Sequence, residues 1–164
     1  MFCSDWPVLI RERADTDLDT CVRLLRAVYE TAGYPINWPA DPSSWLTPAS
    51  AVGYWVAESD GRVVGHVVLT SAGDAVEVER LFVDPKATRQ GIGRRLLDHC
   101  VTTAAELGRK LSLDVVDNRG AAVQLYRRAG WLETGRSPID WGGDQASELI
   151  HFAAPSGPVS TTGQ

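Results

Sequence analysis

The stretch "RLFVDPKATRQGIGRRLL", Arg80 to Leu97, changes from one kind of secondary structure to another. Leu81, Phe82 and Val83 close the run "AVEVERLFV", whose alternation from Val76 to Val83 reads as a strand. Pro85 and a short loop follow, and Gly91-Ile92-Gly93 then opens a helix. Ile92, Leu96, Leu97, Val101, Ala104 and Leu107 fall on one helical stripe, and Gly108 stands where that helix should stop. Lys86, Arg89, Arg94 and Arg95 crowd into this stretch although the formal net charge of the chain is −5. A helix start offers unpaired N–H groups and the positive end of a dipole. Glycine lets the backbone approach an anion with no Cβ in the way, and arginine adds charge-assisted contacts. Gly91, Gly93 and the amides around them are therefore a candidate pyrophosphate cradle, with the four cations at its rim.

Two other phosphate loops do not fit. The string G-x-x-x-x-G-K-[ST] does not occur. A dinucleotide fingerprint needs a third glycine and a short turn, but Arg94 and Arg95 follow Gly93, and residues 84 to 90 separate the strand from the glycines.

Outward from this stretch, strands and helices alternate. "VLIRER" reads as a first strand and "ADTDLDTCVRLLRAVYETAG" as a helix. Thr16 is its expected N-cap, with Asp19 completing a capping box; Leu18, Val22, Leu25 and Tyr29 share a face, and Gly33 ends it. A Pro- and Trp-rich loop with a helical turn near Ser43 to Leu46 leads to "VGYWVAES" and "RVVGHVVLTS". Asp60-Gly61 between these β-branched runs signals a hairpin. "KLSLDVV" is a later strand, Asn118 caps a helix through "RGAAVQLYRRAG", and "WLETG" and "SELIHFA" are closing strands. The order β-α-β-β-β-α-β-α-β-β predicts an α/β sandwich around a mixed sheet.

The composition sets the class. With 164 residues and a 44% apolar share, the chain can bury one core; we expect a single domain over 1–154 and a flexible Pro/Ser/Gly/Thr tail over 155–164. No window reaches the ~18–20 apolar residues of a membrane span, and no basic region precedes the first apolar residues. The expectation is a cytoplasmic protein that binds neither membrane nor nucleic acid, the latter needing a basic face. Cys3, Cys21 and Cys100 are odd in number and form no C-x-x-C pair, so neither a disulfide framework nor a metal site is expected. Homodimer formation stays open.

The two segments "LFVDPKATRQGIGRRLL" and "VVDNRGAAVQLYRRAGW", in this order, resemble the GCN5-related N-acetyltransferases over about residues 8 to 153. The resemblance implies a mixed, mostly antiparallel twisted sheet flanked by helices, and acetyl-coenzyme A as co-substrate. It implies that Leu81, Phe82 and Val83 meet the pantetheine arm and that Arg89, Gln90, Gly91, Ile92, Gly93 and Arg94 hold the pyrophosphate. It also implies that Asn118 contacts the cofactor arm and that Tyr126 lies near the thioester sulfur. The chain departs from the family pattern at Thr88, where Arg or Gln is usual, and at Arg89, often Gly.

The chemistry asks for similar groups. An amine attacks a thioester only when unprotonated, so a base must take its proton. Glu77 and Glu79, spaced to share a strand face with Leu81 and Val83, are the candidates, directly or through water. The N–H of Val83 could serve the developing oxyanion, and Tyr126 the departing sulfur. Tyr34, Trp38, Trp45 and Trp141 could flank the amine, a small molecule or a peptide. With no convincing Cys–His pair, direct attack in a ternary complex is expected rather than an acetyl-cysteine intermediate. A non-catalytic acyl-coenzyme A sensor and a nucleotide-binding α/β domain are the alternatives.

Overall fold

The structure, a computed structural model, describes residues 7–116, 121–139 and 148–155, with the side chains of 88–90 and 121 outside the description. Asn118, Trp141, Cys3 and residues 156–164 of the tail lie outside the described residues.

Seven strands form one sheet: β1 (Val8–Glu12), β2 (Ala51–Ser59), β3 (Arg62–Ala72), β4 (Ala75–Val83), β5 (Lys110–Val116), β6 (Leu132–Pro138) and β7 (Glu148–Ala153). Their spatial order is β1-β2-β3-β4-β5-β7-β6, and only β4 and β5 run parallel. The helices are α1 (Leu18–Ala32), α2 (Pro42–Trp45), α3 (Ile92–Leu107) and α4 (Ala121–Arg128). The mixed, mostly antiparallel sheet between helices is the architecture expected above.

Both faces of the sheet are covered over β3, which is why "VVGHVVLT" reads as a continuous apolar run. On one face Val64, Val67 and Leu69 pack with Ile92, Leu96, Leu97 and Cys100 of α3 and with Val123 and Tyr126 of α4. On the other, Val56 and Phe82 pack with Cys21, Leu25 and Val28 of α1 and with Leu46. The α3 stripe differs from the expected one at its end. Cys100 is fully buried, while Leu107 is 49% exposed, because the helix outruns the sheet there.

The start of α1 is also a correction. Thr16 does not cap it. Residues Asp15–Asp17 form a 3-10 turn, and the Asp17 carboxylate accepts from the Ala14 N–H at 2.7 Å. Arg11 on β1 holds the same carboxylate at 2.8 and 3.0 Å and keeps its pKa below the usual range. A charge-assisted bond to an aspartate outweighs a hydroxyl cap. The buried stripe is Cys21, Leu25 and Val28; Val22 is at its flank, and Tyr29 packs on Trp38 instead.

Asp60-Gly61 makes the expected hairpin turn, with both residues at positive φ, 54° and 73°. That is the backbone of a type I′ turn, whose twist matches the flanking strands. A Cβ added at Gly61 meets nothing within 4 Å, so Gly61→Ala costs backbone strain alone. We expect a loss of about 1 kcal/mol in urea denaturation. No measurable loss would show that the turn relaxes to another type.

Candidate active site

The site begins with a break in a strand. Arg80 sits at φ 54°, where β-strand residues do not. The register confirms an inserted residue: His66 pairs Phe82 while Val68 pairs Glu79, so three steps on β4 oppose two on β3. An inserted residue reverses which face the side chains take. Val76 and Val78 before the bulge, and Leu81 and Val83 after it, all pack on the α3 side, while Phe82 packs on the α1 side. This overturns the expectation that Glu77 and Glu79 share a face with Leu81 and Val83. The two glutamates lie on the α1 side of the sheet.

A buried histidine holds the bulge. His66 is fully buried and stacks on Phe82 at 5.0 Å. Its Nδ1 is 2.9 Å from the Arg80 carbonyl, and its Nε2 is 2.9 Å from Arg13 Nη1. A carbonyl only accepts and a guanidinium only donates, so the imidazole is neutral, with the proton on Nδ1. Burial lowers its pKa to about 4. Arg13 also donates to the Leu46 carbonyl and to Thr47 Oγ1, tying α2 to the bulge. The Arg80 side chain lies over the Trp45 ring and donates to the Trp45 carbonyl and to Glu79.

The bulge has a consequence for the sheet. Pairing of β4 with β5 runs only from Ala75↔Lys110 to Glu77↔Ser112. Beyond it the strands part and a cleft of about 680 Å³ opens between them. Its walls are Glu77 to Phe82 on one side and Leu113 to Val116 on the other. Ala122, Val123 and Tyr126 of α4, with Tyr34, Ile36 and Trp45, also line it. The cleft acts on the Glu77 carboxylate. Burial, then the nearby Asp114 and Glu79 charges, raise its pKa, and it has no hydrogen bond among the described residues. Glu79, by contrast, accepts from Arg80 at 2.9 Å and from Thr70 Oγ1 at 3.1 Å.

Tyr126 is 7% exposed, packs beside Trp131 and Phe152, and lines the cleft. Its hydroxyl has no partner among the described residues, which is unusual for a buried tyrosine. Burial, and Tyr34 nearby, raise its pKa, so it stays a neutral O–H donor. Burial raises Tyr34 likewise.

Where the strand hands over, Pro85–Gln90 forms a 3-10 turn, capped by Asp84 accepting from the Lys86 N–H, in place of the expected loop. Gly91 takes φ 71° at the N-cap of α3, and a Cβ there would meet nothing within 4 Å, so the surface beside it is open to a ligand. Gly93 is needed for a different reason. A Cβ on it would lie 3.2 Å from Leu125 Cδ2 and 3.7 Å from Val83 Cγ2, where α3, α4 and the end of β4 meet. The cradle residues thus fit an anionic group.

Several expected residues stand elsewhere. Leu81 and Phe82 line the cleft; Val83 is beside Gly93 rather than on the wall. The Arg94 side chain is half exposed and pairs with Asp98, leaving its backbone as the part within the cradle. Trp38 packs on Tyr29 and Arg26 and is not on the cleft wall. Burial pushes the Cys21 and Cys100 thiols up to about 11 and about 12, away from nucleophilic chemistry. The sequence reading missed Asp114. In "KLSLDVV" it is the outward member of an alternation, and an outward carboxylate reads as solvated; only the parting of β4 and β5 makes it a cleft residue.

The Acetyltransferase (GNAT) family model matches residues 18–131. The chain belongs to this family. Among curated proteins, this GNAT chain is 36% identical over 87 residues to the peptidyl-lysine N-acetyltransferase YjaB of Salmonella typhimurium, covering 52% of this chain and 54% of that protein. The chain spans about half the length of the curated relatives it matches. In fold it resembles the ribosomal-protein-S18-alanine N-acetyltransferase of Escherichia coli, with TM-score 0.72 at 22% identity, over 91% of this chain and 94% of that one. It also resembles the PaiA N-acetyltransferase of Thermoplasma acidophilum, solved in complex with coenzyme A, with TM-score 0.69 at 17% identity over 92% and 99%. No helix among the described residues is long and apolar enough to cross a membrane.

Proposed function

We propose that this protein transfers the acetyl group of acetyl-coenzyme A to a primary amine, by direct attack in a ternary complex. The observation that carries this reading is the parting of β4 from β5. It brings the unpartnered Tyr126 hydroxyl and the Glu77 carboxylate to one cleft, whose β4 wall leads along the chain into the turn that opens α3 at Gly91. The co-substrate supplies an acyl group activated as a thioester. Gly91, Ile92, Gly93 and the backbone at Arg94 would hold its pyrophosphate, and the β4 edge at Leu81 and Phe82 its pantetheine arm. Family membership and the naming of a relative as a lysine acetyltransferase support the same chemistry.

The amine nitrogen forms the C–N bond, the C–S bond breaks with its electrons passing to sulfur, and one N–H proton leaves. Glu77 takes that proton, since a raised pKa makes a stronger base. Glu79, held by Arg80 and Thr70, positions the bulge. A thiolate is a weaker base than a buried phenolate, so Tyr126 stabilises the sulfur by donating a hydrogen bond rather than by complete proton transfer. The acceptor is a small-molecule or peptide amine. Tyr34 and Ile36 give the cleft an apolar surface for the acceptor, beside the Trp45 ring that Arg80 covers.

The test is thiol release from acetyl-coenzyme A across a panel of polyamines, amino acids and lysine or N-terminal peptides. Turnover on one class and not the others names the acceptor. Tight co-substrate binding with no turnover on any amine would make the protein a sensor instead.

A further inference from the structure

The cleft passes between β4 and β5 from one face of the sheet to the other, and its charge is uneven. Leu113 of β5, with Val123 and Tyr126 of α4, belongs to the α3 side. Glu77 and Glu79 stand on the α1 side. Glu77 pairs with Ser112 across the parallel ladder, and Asp114, two residues beyond Ser112, takes the same face. With the glycine cradle at the start of α3, the α1 side is the one left to the acceptor.

The charged residues lining the cleft, among those described, are Glu77, Glu79, Asp114 and Arg80. Three carboxylates thus stand against one guanidinium. Arg80 is already engaged, donating to Glu79 and lying over the Trp45 ring. Glu77 becomes neutral as it takes the proton of the reacting amine. Asp114 is the carboxylate left over. Its Oδ1 is 2.7 Å from His151 Nδ1 on β7, and His151 Nε2 is 2.7 Å from Ser137 Oγ on β6. That chain fixes the carboxylate from the sheet-edge side. The other oxygen, Oδ2, has no partner among the described residues, and the side chain is 39% exposed. A second, independent feature marks the same space. Tyr126, only 7% exposed, brings a hydroxyl with no partner among the described residues to this cleft. Buried polar groups are normally bonded, so a ligand is the missing partner.

A carboxylate in a cleft holds a cation more strongly than one on an open surface, because water screens it less. The reacting nitrogen cannot be that cation, since it attacks only when unprotonated. We infer that the acceptor carries a second cationic group, which Asp114 Oδ2 binds while the first amine reacts. That group keeps its proton throughout. The rise along β5 from Ser112, opposite Glu77, to Asp114 is about 6.6 Å, so a diamine with a short alkyl chain fits. A basic residue beside a lysine presents the same chemistry. Asp114 is then the specificity-determining residue, and His151 and Ser137 position it. This inference rests on the acetyltransferase reading and names its substrate class.

The test uses three acceptors of one chain length, a diamine, the amino alcohol and the amino acid, so that the far group is positive, neutral or negative. In the wild type, kcat/KM should fall about tenfold from the diamine to the amino alcohol, mostly through KM, and further to the amino acid. In Asp114→Asn the advantage of the diamine over the amino alcohol should disappear; Asp114→Glu, which keeps the charge, should retain it. Asparagine can still accept from His151 Nδ1. The ratio is the readout because Asp114 also acts on Glu77, which moves both acceptors together. A pair of lysine peptides, with arginine or glutamate beside the lysine, is run alongside. A preference for the positive member in the first series assigns a free diamine, and one confined to the peptides assigns a basic peptide. Equal kcat/KM for positive and neutral members in both series, or an advantage that survives in D114N, overturns the inference and leaves acetyl transfer standing. No transfer to any acceptor, with acetyl-coenzyme A still bound, overturns the acetyltransferase reading and this inference with it.

Discussion

Tyr126→Phe is expected to lower kcat about 10²-fold, while the Kd for acetyl-coenzyme A changes by less than about threefold. The substitution removes one oxygen and leaves the ring packed against Trp131 and Phe152. The fold has no need of that oxygen, since the hydroxyl has no partner among the described residues. The loss therefore falls on the reaction. A single preorganised donor to a developing anion in a water-poor site is worth roughly 10²- to 10³-fold in kcat. Thermal unfolding should be unchanged, because the hydroxyl faces the cleft and no protein hydrogen bond is lost. Steady-state kinetics with calorimetric binding decides the matter. An unchanged kcat would take Tyr126 out of the chemistry and leave it as a packed aromatic.

The second large effect is on stability and follows from His66. Its folded pKa is about 4, below the value near 6.5 of an unfolded histidine. Between these values the unfolded chain binds the proton and the folded protein does not, so stability rises with pH across that window. The contribution is complete above about pH 6.5 and is lost as the pH falls toward 4, by about 3 kcal/mol. Below pH 4 this group costs nothing more. The structural reason is first the burial of the ring, and then that a proton on Nε2 would face the Arg13 guanidinium at 2.9 Å. His99, also lowered by burial, acts in the same direction, so the comparison is with His66→Gln. Glutamine can donate to the Arg80 carbonyl and accept from Arg13, but it does not titrate. Urea denaturation at pH 7, 5.5 and 4.5 should show a steep loss in the wild type and a shallower one in the variant. Parallel slopes would mean that His66 is protonated in the folded protein. Because His66 holds the bulge, acetyl transfer should fail at acid pH ahead of global unfolding.

The fold was legible wherever local chemistry agreed with burial. Asp60-Gly61 between two β-branched runs could hardly be anything but a hairpin. Gly91-Ile92-Gly93 after an apolar strand marked the start of α3, and Gly108 its end. Errors came where a distant group competed. Thr16 lost the cap of α1 because Arg11, on another element, positions Asp17. Tyr29 left the buried stripe because Trp38 offers it a ring. Neither partner can be seen from within the helix sequence.

The candidate site divides along the same line. Two short segments carry the glycine cradle and Tyr126, because backbone geometry and residue type suffice to state their roles. The facing of Glu77 was misread because alternation assumes an uninterrupted strand. Nothing in "EVERLFV" announces that Arg80 takes a left-handed backbone. That conformation exists because His66, fourteen residues earlier, bonds the Arg80 carbonyl from inside the core. Asp114, His151 and Ser137 come from three separated segments and meet only through strand register. Sequence pattern was enough for the order of elements and the anion-binding turn, since both depend on neighbours along the chain. The opening of the cleft, and which carboxylates face it, depended on one bulge and three pairings between strands, and contacts of that kind form only when the whole sheet closes.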